Sequence, residues 1–163
     1  MSLSVTQFGK PLPKEKYTWD EKTKIFSSKE EHLIIDFNGN NGTFCTGHFC
    51  IFYTGSNCIF RTGSDCNFKT KSGCIFRTGS DCNFKTGSDC NFTTGHGCTF
   101  TTGADCVIIR RDVFKVIRIP KKTTIKLKYY KIKGFTKTIV VDGKTIEITN
   151  KGFEILKKSL LKE

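Results

Sequence analysis

Apolar and polar residues alternate through the middle of the chain, and the alternation restarts every eight residues. Each eight-residue unit, or octad, reads T-G-x-x-C-x-F-x, so that Cys, Phe and Thr are spaced by two. Side chains two apart share one face of a β-strand, and the residues between them lie on the other face. Nine octads span residues 38–109, the first with Gly42 and Phe44 in the Cys and Phe places. The pattern predicts a series of short, half-buried strands of about five residues.

A three-residue corner follows each predicted strand, as in Gly63-Ser64-Asp65. Gly accepts positive φ, and Ser and Asp hydrogen-bond to nearby backbone, so these residues favour a tight turn. Short identical strands cannot bury a face alone and have to stack on one another. We therefore predict an all-β fold, a parallel β-solenoid of octapeptide repeats. Its core ladder is predicted to consist of Cys50, Cys58, Cys66, Cys74, Cys82, Cys90, Cys98, Cys106, Phe52, Phe60, Phe68, Phe76, Phe84, Phe92 and Phe100.

The exposed positions indicate how many octads form one coil. The run CIFRTGSDCNFKT occurs at residues 58–70 and again at 74–86, a shift of sixteen. Two octads per coil would stack Ile59 on Ile75, whereas three would mix the rows of side chains. A recent duplication would leave the same trace and stays an alternative. We expect sixteen residues per coil and a rod on the order of 22 Å long at the usual strand spacing.

The segments outside the octads are expected to cap the rod. In the N-terminal segment, Tyr17-Thr18-Trp19 and Lys24-Ile25-Phe26 flank a polar stretch, as in a β-hairpin. Exposed strand edges pair with other chains, so a solenoid needs covered ends, and we expect Trp19 to cover the Phe stack. The expected domains are an N-terminal cap at 1–37, the solenoid at 38–109 and a basic C-terminal module at 110–163.

The C-terminal module is predicted to be rich in β-structure. Residues 113–119 have the composition of a strand, and apolar residues alternate with Lys126 and Lys128. Asp142-Gly143 separates two apolar runs, which is typical of a hairpin with a type I′ turn. Asn150 is placed to cap a closing helix at 151–161.

Nine cysteines raise the question of disulfides or a metal site. Their odd number, and an N-terminus without the apolar segment of a secretion signal, favour free thiols in a reducing, intracellular compartment. Zinc sites typically contain C-x-x-C pairs, and this sequence has none. We expect ladders of buried, reduced Cys that behave as small hydrophobic residues, with no metal and no cofactor.

No set of residues predicts catalysis. His32, His48 and His96 have no Ser, Cys or paired carboxylate partner in the sequence. The Asp residues of the corners have a period of eight, whereas Ca²⁺-binding β-rolls repeat every nine residues with additional glycines. We expect no catalytic residues and a function that is not enzymatic.

The net charge of +12 is concentrated at the C-terminal end, where residues 107–163 hold sixteen basic and five acidic residues. Clustered Lys and Arg contact phosphates, so a polyanion is a candidate partner. Lys outnumbers Arg and no nucleic-acid motif occurs, so a solvated or assembly surface is favoured over nucleic acid. No run approaches the length of a membrane span. The candidate polyanion contacts are Arg110, Arg111, Lys126, Lys128, Lys131 and Lys133.

The octads, with the flanking KYTWDEKTKIFSS and CVIIRRDVFKVI, resemble uncharacterised Cys/Phe octapeptide-repeat proteins of large DNA viruses of protists. The resemblance covers roughly residues 17–118. It implies a virion or viral-factory setting and no catalytic activity. Our leading hypothesis is a structural or scaffold rod that self-associates or docks with a structural partner. The alternative is a module that binds nucleic acid or another polyanion through its basic C-terminal region.

Overall fold

The structure is a computed structural model that describes residues 2–111 and the strands Lys115–Ile119, Thr123–Leu127, Phe135–Val141 and Lys144–Ile148. Strands dominate these residues, and a short 3-10 turn lies at Lys14–Lys16. The strands are β1 Ser2–Gln7, β2 Lys10–Pro11, β3 Tyr17–Asp20, β4 Ile25–Ser28, β5 Leu33–Asn38, β6 Thr43–Cys45, β7 Ile51–Thr54, β8 Ile59–Arg61, β9 Asn67–Lys69, β10 Ile75–Arg77, β11 Asn83–Lys85, β12 Asn91–Thr94, β13 Thr99–Thr101, β14 Cys106–Arg110, β15 Lys115–Ile119, β16 Thr123–Leu127, β17 Phe135–Val141 and β18 Lys144–Ile148.

Successive repeat strands alternate between two sheets. The ten-stranded sheet has the order β18-β17-β16-β13-β11-β9-β7-β5-β1-β2, and the eight-stranded sheet has the order β15-β14-β12-β10-β8-β6-β4-β3. From β4 to β14, neighbouring strands of each sheet are parallel. The chain therefore winds into a parallel β-solenoid of about five turns, which confirms the predicted fold class.

The parallel pairs align like residues of the octads. Ile59 pairs with Ile75, and Asn67 pairs with Asn83, each sixteen positions further along the chain. Nearer the N-terminus, Ile25 pairs with Thr43, eighteen positions on, because the chain between them is longer. The parallel pairing thus includes β4 and β5, which precede or only just reach the octads.

Most repeat strands have three residues, as in β9 and β11, and not the five that the octad predicts. In these repeats the Cys and Thr at the two ends of the predicted five-residue strand lie just outside the observed strand. Their backbone still bonds between coils: the Thr62 amide donates to the Arg77 carbonyl at 3.0 Å, and the Asn67 amide donates to the Cys50 carbonyl at 2.9 Å. The bonding between coils therefore continues into the corners.

Antiparallel strands lie at both ends of the solenoid. Asp20 of β3 pairs with Ile25 of β4, which forms the hairpin predicted from the N-terminal segment. β1 pairs with β5 in the other sheet. At the opposite end, β15 pairs with β14, and β16 pairs with β13. Val141 pairs with Lys144, as expected for a hairpin with Asp142-Gly143 between its strands. The predicted helix at 151–161 lies outside the described residues.

The core consists of two columns of Phe rings, one from each sheet. In one column, Phe76 stacks on Phe60 and on Phe92 with ring centroids 4.8 Å apart in both contacts. Phe68 and Phe84 of the other column meet Phe76 edge to face at 5.2 Å. These are the two favoured arrangements of aromatic pairs, and they add to the gain of about 1.5–3 kcal/mol from burying each ring.

Candidate functional site

Two ladders of free thiols run beside the Phe columns. Each rung is a buried Cys. The Cys82 thiol donates to the Ser80 carbonyl at 3.3 Å, and the Cys66 amide donates to Cys82 Sγ at 3.5 Å. The thiols are therefore engaged with the backbone. The ladders are Cys50, Cys66, Cys82 and Cys98 along the ten-stranded sheet and Cys58, Cys74, Cys90 and Cys106 along the eight-stranded sheet.

Neighbouring thiols of a ladder shift each other's pKa. The hydrogen bond with Cys90, together with burial, raises the pKa of Cys106 far above its ordinary value. For Cys82 the bond with Cys66 lowers the pKa, but Cys98 and burial outweigh it and raise the pKa to about 12. A bond with Cys74 lowers the pKa of Cys58 to about 6, but that side chain is 0% exposed, so no reactant can reach it. The ladder thiols are part of the buried core.

Within the described part of the chain, no group of three or more His, Cys, Asp or Glu side chains is arranged to hold a metal ion. The described residues also contain no helix that is long and apolar enough to span a membrane.

The corners form a second kind of ladder. The residue before each ladder Cys has left-handed backbone, such as Asn57 at φ 57°, Asp65 at φ 58° and Gly73 at φ 73°. Gly, Asn and Asp tolerate this conformation best, which explains the Gly-Ser-Asp corners. Ser64 Oγ accepts the Ser80 amide at 3.0 Å, so corner side chains also link successive coils. The Asp side chains remain exposed.

Phe49 occupies the corner place that Asp65 holds in the next coil. It has φ 56°, although a bulky side chain is unfavourable there, and it is 46% exposed. Its ring stacks on His32 at 4.8 Å, and Phe8, which is 76% exposed, lies 5.5 Å from His32. This arrangement forms an exposed aromatic cluster near the N-terminal end of the rod, consisting of Phe8, His32 and Phe49.

The outer faces of the sheets carry stacked pairs of like charge. Lys69 pairs with Lys85 in the ten-stranded sheet, and Arg61 pairs with Arg77 in the eight-stranded sheet. All four side chains are exposed. Neighbouring strands are about 4.8 Å apart, so each pair holds two positive charges close together. Beside the lysines, Asn83 donates a side-chain hydrogen bond to Asn67 at 3.2 Å.

The acidic residues of the octads lie on the corners. Asp65 and Asp81 are sixteen residues apart on one corner column, and Asp89 and Asp105 are sixteen apart on the other. Among the described side chains, the ion pairs are Lys16–Glu30 at 3.3 Å and His96–Asp81 at 3.8 Å. In the described part of the molecule, the Lys and Arg pairs on the outer faces therefore have no ion-pair partner. The same holds for the corner residues Asp65, Asp89 and Asp105. This separation becomes visible only once residues sixteen apart in the sequence are stacked on one another.

Of the predicted polyanion contacts, the structure describes the side chains of Arg110 and Arg111. Arg110 is only 1% exposed and pairs with Thr94, so it occupies the core-facing Thr place, and the expected surface contact at this residue is wrong. Arg111 is exposed and donates a hydrogen bond to the Thr78 carbonyl. The backbone of Lys126 lies in β16 opposite Thr99, and its side chain is not among those that the structure describes. Lys128, Lys131 and Lys133 lie outside the described residues.

Both sheets end in strands that are paired on one side within the described part of the chain. The eight-stranded sheet ends in β3 and β15, and the ten-stranded sheet ends in β2 and β18. β2 has two residues and contains Pro11, which lacks an amide donor. β3 and β15 have four and five residues, so the eight-stranded sheet presents the longer edge at the N-terminal end.

No protein-family model matches this chain, and no curated protein or solved structure is significantly similar to it.

Proposed function

We propose that the protein is a non-enzymatic structural rod that self-associates or docks with a structural partner. The observation that carries this proposal is the pair of edge strands, β3 and β15, at opposite ends of the eight-stranded sheet. Unpaired backbone groups of an edge strand are a template for another strand. A head-to-tail contact of β15 with β3 of the next copy would extend the sheet and, if it does not close, would build a filament.

The packed interior supports a scaffolding role. Stacked Phe rings and hydrogen-bonded thiols give a rigid body, and the exposed aromatic cluster offers a contact for a partner. In this proposal each coil contains sixteen residues. β1 to β3 and the C-terminal module with its closing helix act as caps. The caps leave the edges of β3 and β15 open for the head-to-tail contact. The proposed setting is a reducing intracellular one, a viral factory or virion, and its support is the sequence resemblance to viral octapeptide-repeat proteins.

A second candidate function is binding of nucleic acid or another polyanion by the C-terminal module. The observation that favours it is the concentration of sixteen basic and five acidic residues in 107–163. Such binding would weaken steeply with salt, because phosphate contacts release counterions.

Sedimentation velocity over a range of protein concentrations tests the structural proposal. The wild-type protein should form species larger than the monomer, and Thr18→Lys in β3 should raise the concentration needed about tenfold or more, because a charge on an edge strand opposes pairing. Thr93→Lys adds the same charge to β12, which is paired on both sides, and should associate like the wild type. A wild-type protein that stays monomeric at every concentration and binds DNA with a steep salt dependence would favour the second candidate.

A further inference from the structure

A groove crosses the outer face of the ten-stranded sheet in the direction of the rod. Two rows of exposed or half-buried side chains form its walls, and the rows lie two residues apart on each strand, which is about 7 Å. At one end the groove opens towards the corner residue Lys71. We call it the outer groove. One wall consists of Ile51, Asn67, Asn83 and Thr99, and the other consists of Tyr53, Lys69, Lys85 and Thr101.

The outer groove is positively charged. Of the residues that line it, three are lysines and one, Asp36, is acidic. Lys69, Lys71 and Lys85 are exposed, and none of them forms an ion pair with a described side chain. Asp36 pairs with Tyr53 on the side away from Lys69, so it lies at one end of the row. The three lysine charges are therefore available to an anionic ligand.

Tyr53 gives the outer groove an aromatic surface next to these charges. Its side chain is 42% exposed, and the residue pairs directly with Lys69 of the next strand. In the eight-stranded sheet, Cys45 pairs with Arg61 in the same way, so the arginine pair has no aromatic ring at the equivalent place. An exposed aromatic ring accepts a stacked nucleobase of any identity, because every base has a π-face.

We propose that the outer groove binds single-stranded nucleic acid, with a base stacked on Tyr53 and phosphates on the three lysines. Proteins that bind single strands without sequence preference combine these two features, a basic groove and a stacking ring. A duplex fits less well, because its bases are stacked inside the helix and do not reach Tyr53. The inference goes beyond a structural role and assigns a ligand to one face of the rod.

The remaining residues of the outer groove suit a base without fixing its identity. Asn83 donates a hydrogen bond to Asn67 at 3.2 Å, which leaves the Asn67 amide N–H groups and the Asn83 carbonyl available to a base edge. From Tyr53 the bound strand runs along the lysines towards β13 and away from Asp36. There β16 of the basic segment 107–163 pairs with β13, so the groove ends beside a region of the same charge.

Fluorescence anisotropy with a labelled oligo(dT) of roughly 12 nucleotides tests the stacking contact in the full-length protein. Tyr53→Leu should weaken binding about tenfold, because the stacked ring is lost. Tyr53→Phe keeps the ring and should bind like the wild type. Circular dichroism confirms that both variants fold, as expected for an exposed position. Equal affinities of the three proteins would contradict stacking on Tyr53.

The salt dependence of the same binding tests the phosphate contacts. Lys69→Gln with Lys85→Gln should reduce the slope of log K against log salt concentration by about 1.4, because each phosphate contact of a single strand contributes about 0.7. Arg61→Gln with Arg77→Gln removes the same number of charges, at the same spacing, from the other sheet and should leave the slope unchanged. An equal reduction by both pairs would indicate an effect of net charge alone and would overturn the inference.

Photo-crosslinking locates the bound base, which matters because residues 107–163 are the other candidate site for a polyanion. An oligo(dT) that carries 5-iodouracil should crosslink to Tyr53 in the wild type, and mass spectrometry of the peptides identifies the position. Crosslinks confined to 107–163, with an affinity that Tyr53→Leu leaves unchanged, would overturn the outer groove and support the second candidate function.

Competitors test the class of ligand, and sedimentation keeps the two proposals separate. Oligo(U) should compete like oligo(dT), whereas an equally strong effect of duplex DNA or polyglutamate would overturn a site for single strands, because neither presents a free base to Tyr53. Wild-type protein that binds no oligonucleotide at low salt would overturn this inference and leave the proposed self-association standing. A monomeric protein that binds through Tyr53 would overturn the self-association alone.

Discussion

At the scale of the residue, the position in the octad determines whether a side chain is buried more than the residue type does. Arg110 is charged, yet it lies in the core because it stands two residues after Ile108, where Thr94 stands in the preceding coil. The alternation of the octad contained this signal, and the clustering of basic residues obscured it. Conversely, Ile75 is apolar but 41% exposed, because it lies on the outward side of the strand.

Replacing Asn by Val at a corner and, as a control, within a strand tests the left-handed backbone of the corners. Asn57→Val should lower the free energy of unfolding by about 1–2 kcal/mol, because a β-branched side chain fits poorly at the φ of 57°. Asn57→Gly should be close to neutral. Asn91→Val, on the exposed face of β12, should change stability by less than about 0.5 kcal/mol. Chemical denaturation measures all three, and equal losses for the two Val variants would argue against a left-handed corner at residue 57.

At the scale of the element, the regular part of the fold could be predicted and the ends could not. The core Cys and Phe recur with a fixed period, so the parallel solenoid and its buried side chains follow from steric alternation alone. The Asp142-Gly143 hairpin also followed from local turn chemistry. The octad pattern did not predict the parallel pairing of β4 with β6 and of β5 with β7, because the connections there are longer and lack the residues of the octad motif. The antiparallel pairing of β1 with β5 depends on contacts distant in sequence, which no local pattern encodes.

The raised pKa of Cys82 predicts that the free energy of unfolding falls at alkaline pH. The folded pKa of Cys82, about 12, lies above the ordinary thiol value of 9.0, so the folded state holds the proton more tightly. Its contribution is complete below about pH 9 and is lost as the pH rises towards 12. One such thiol adds a slope of up to about 1.4 kcal/mol per pH unit in this window.

Denaturation midpoints measured from pH 7 to pH 12 test this linkage. Cys82→Ala should make the alkaline loss of stability shallower than in the wild type. Cys45→Ser is the matched control, because Cys45 is partly exposed and lies outside both ladders. A Cys82→Ala protein with the wild-type slope would mean that this thiol does not titrate with unfolding.

At the scale of the whole molecule, each coil contacts mainly the coil before and the coil after it. Stability is then close to a sum of coil terms and interface terms, as in other repeat proteins. Phe76 lies at the centre of this series, with a stacked ring on either side and two edge contacts across the core. The same linear coupling holds the two ends of the rod in a fixed relation, which the proposed end-to-end filament requires.

Phe76→Ala should therefore weaken the molecule as a whole and also divide it. Loss of the buried ring should cost about 3–5 kcal/mol, and the weakened interface should let the coils on either side unfold in separate steps. Hydrogen exchange followed by peptide would show two groups of amides with different opening free energies where the wild type shows one. Phe76→Leu retains most of the buried volume and should keep a single transition at a smaller cost. If Phe76→Ala still unfolds in one step and loses no more stability than Phe76→Leu, the Phe columns do not couple the coils, and a rigid rod would need another explanation.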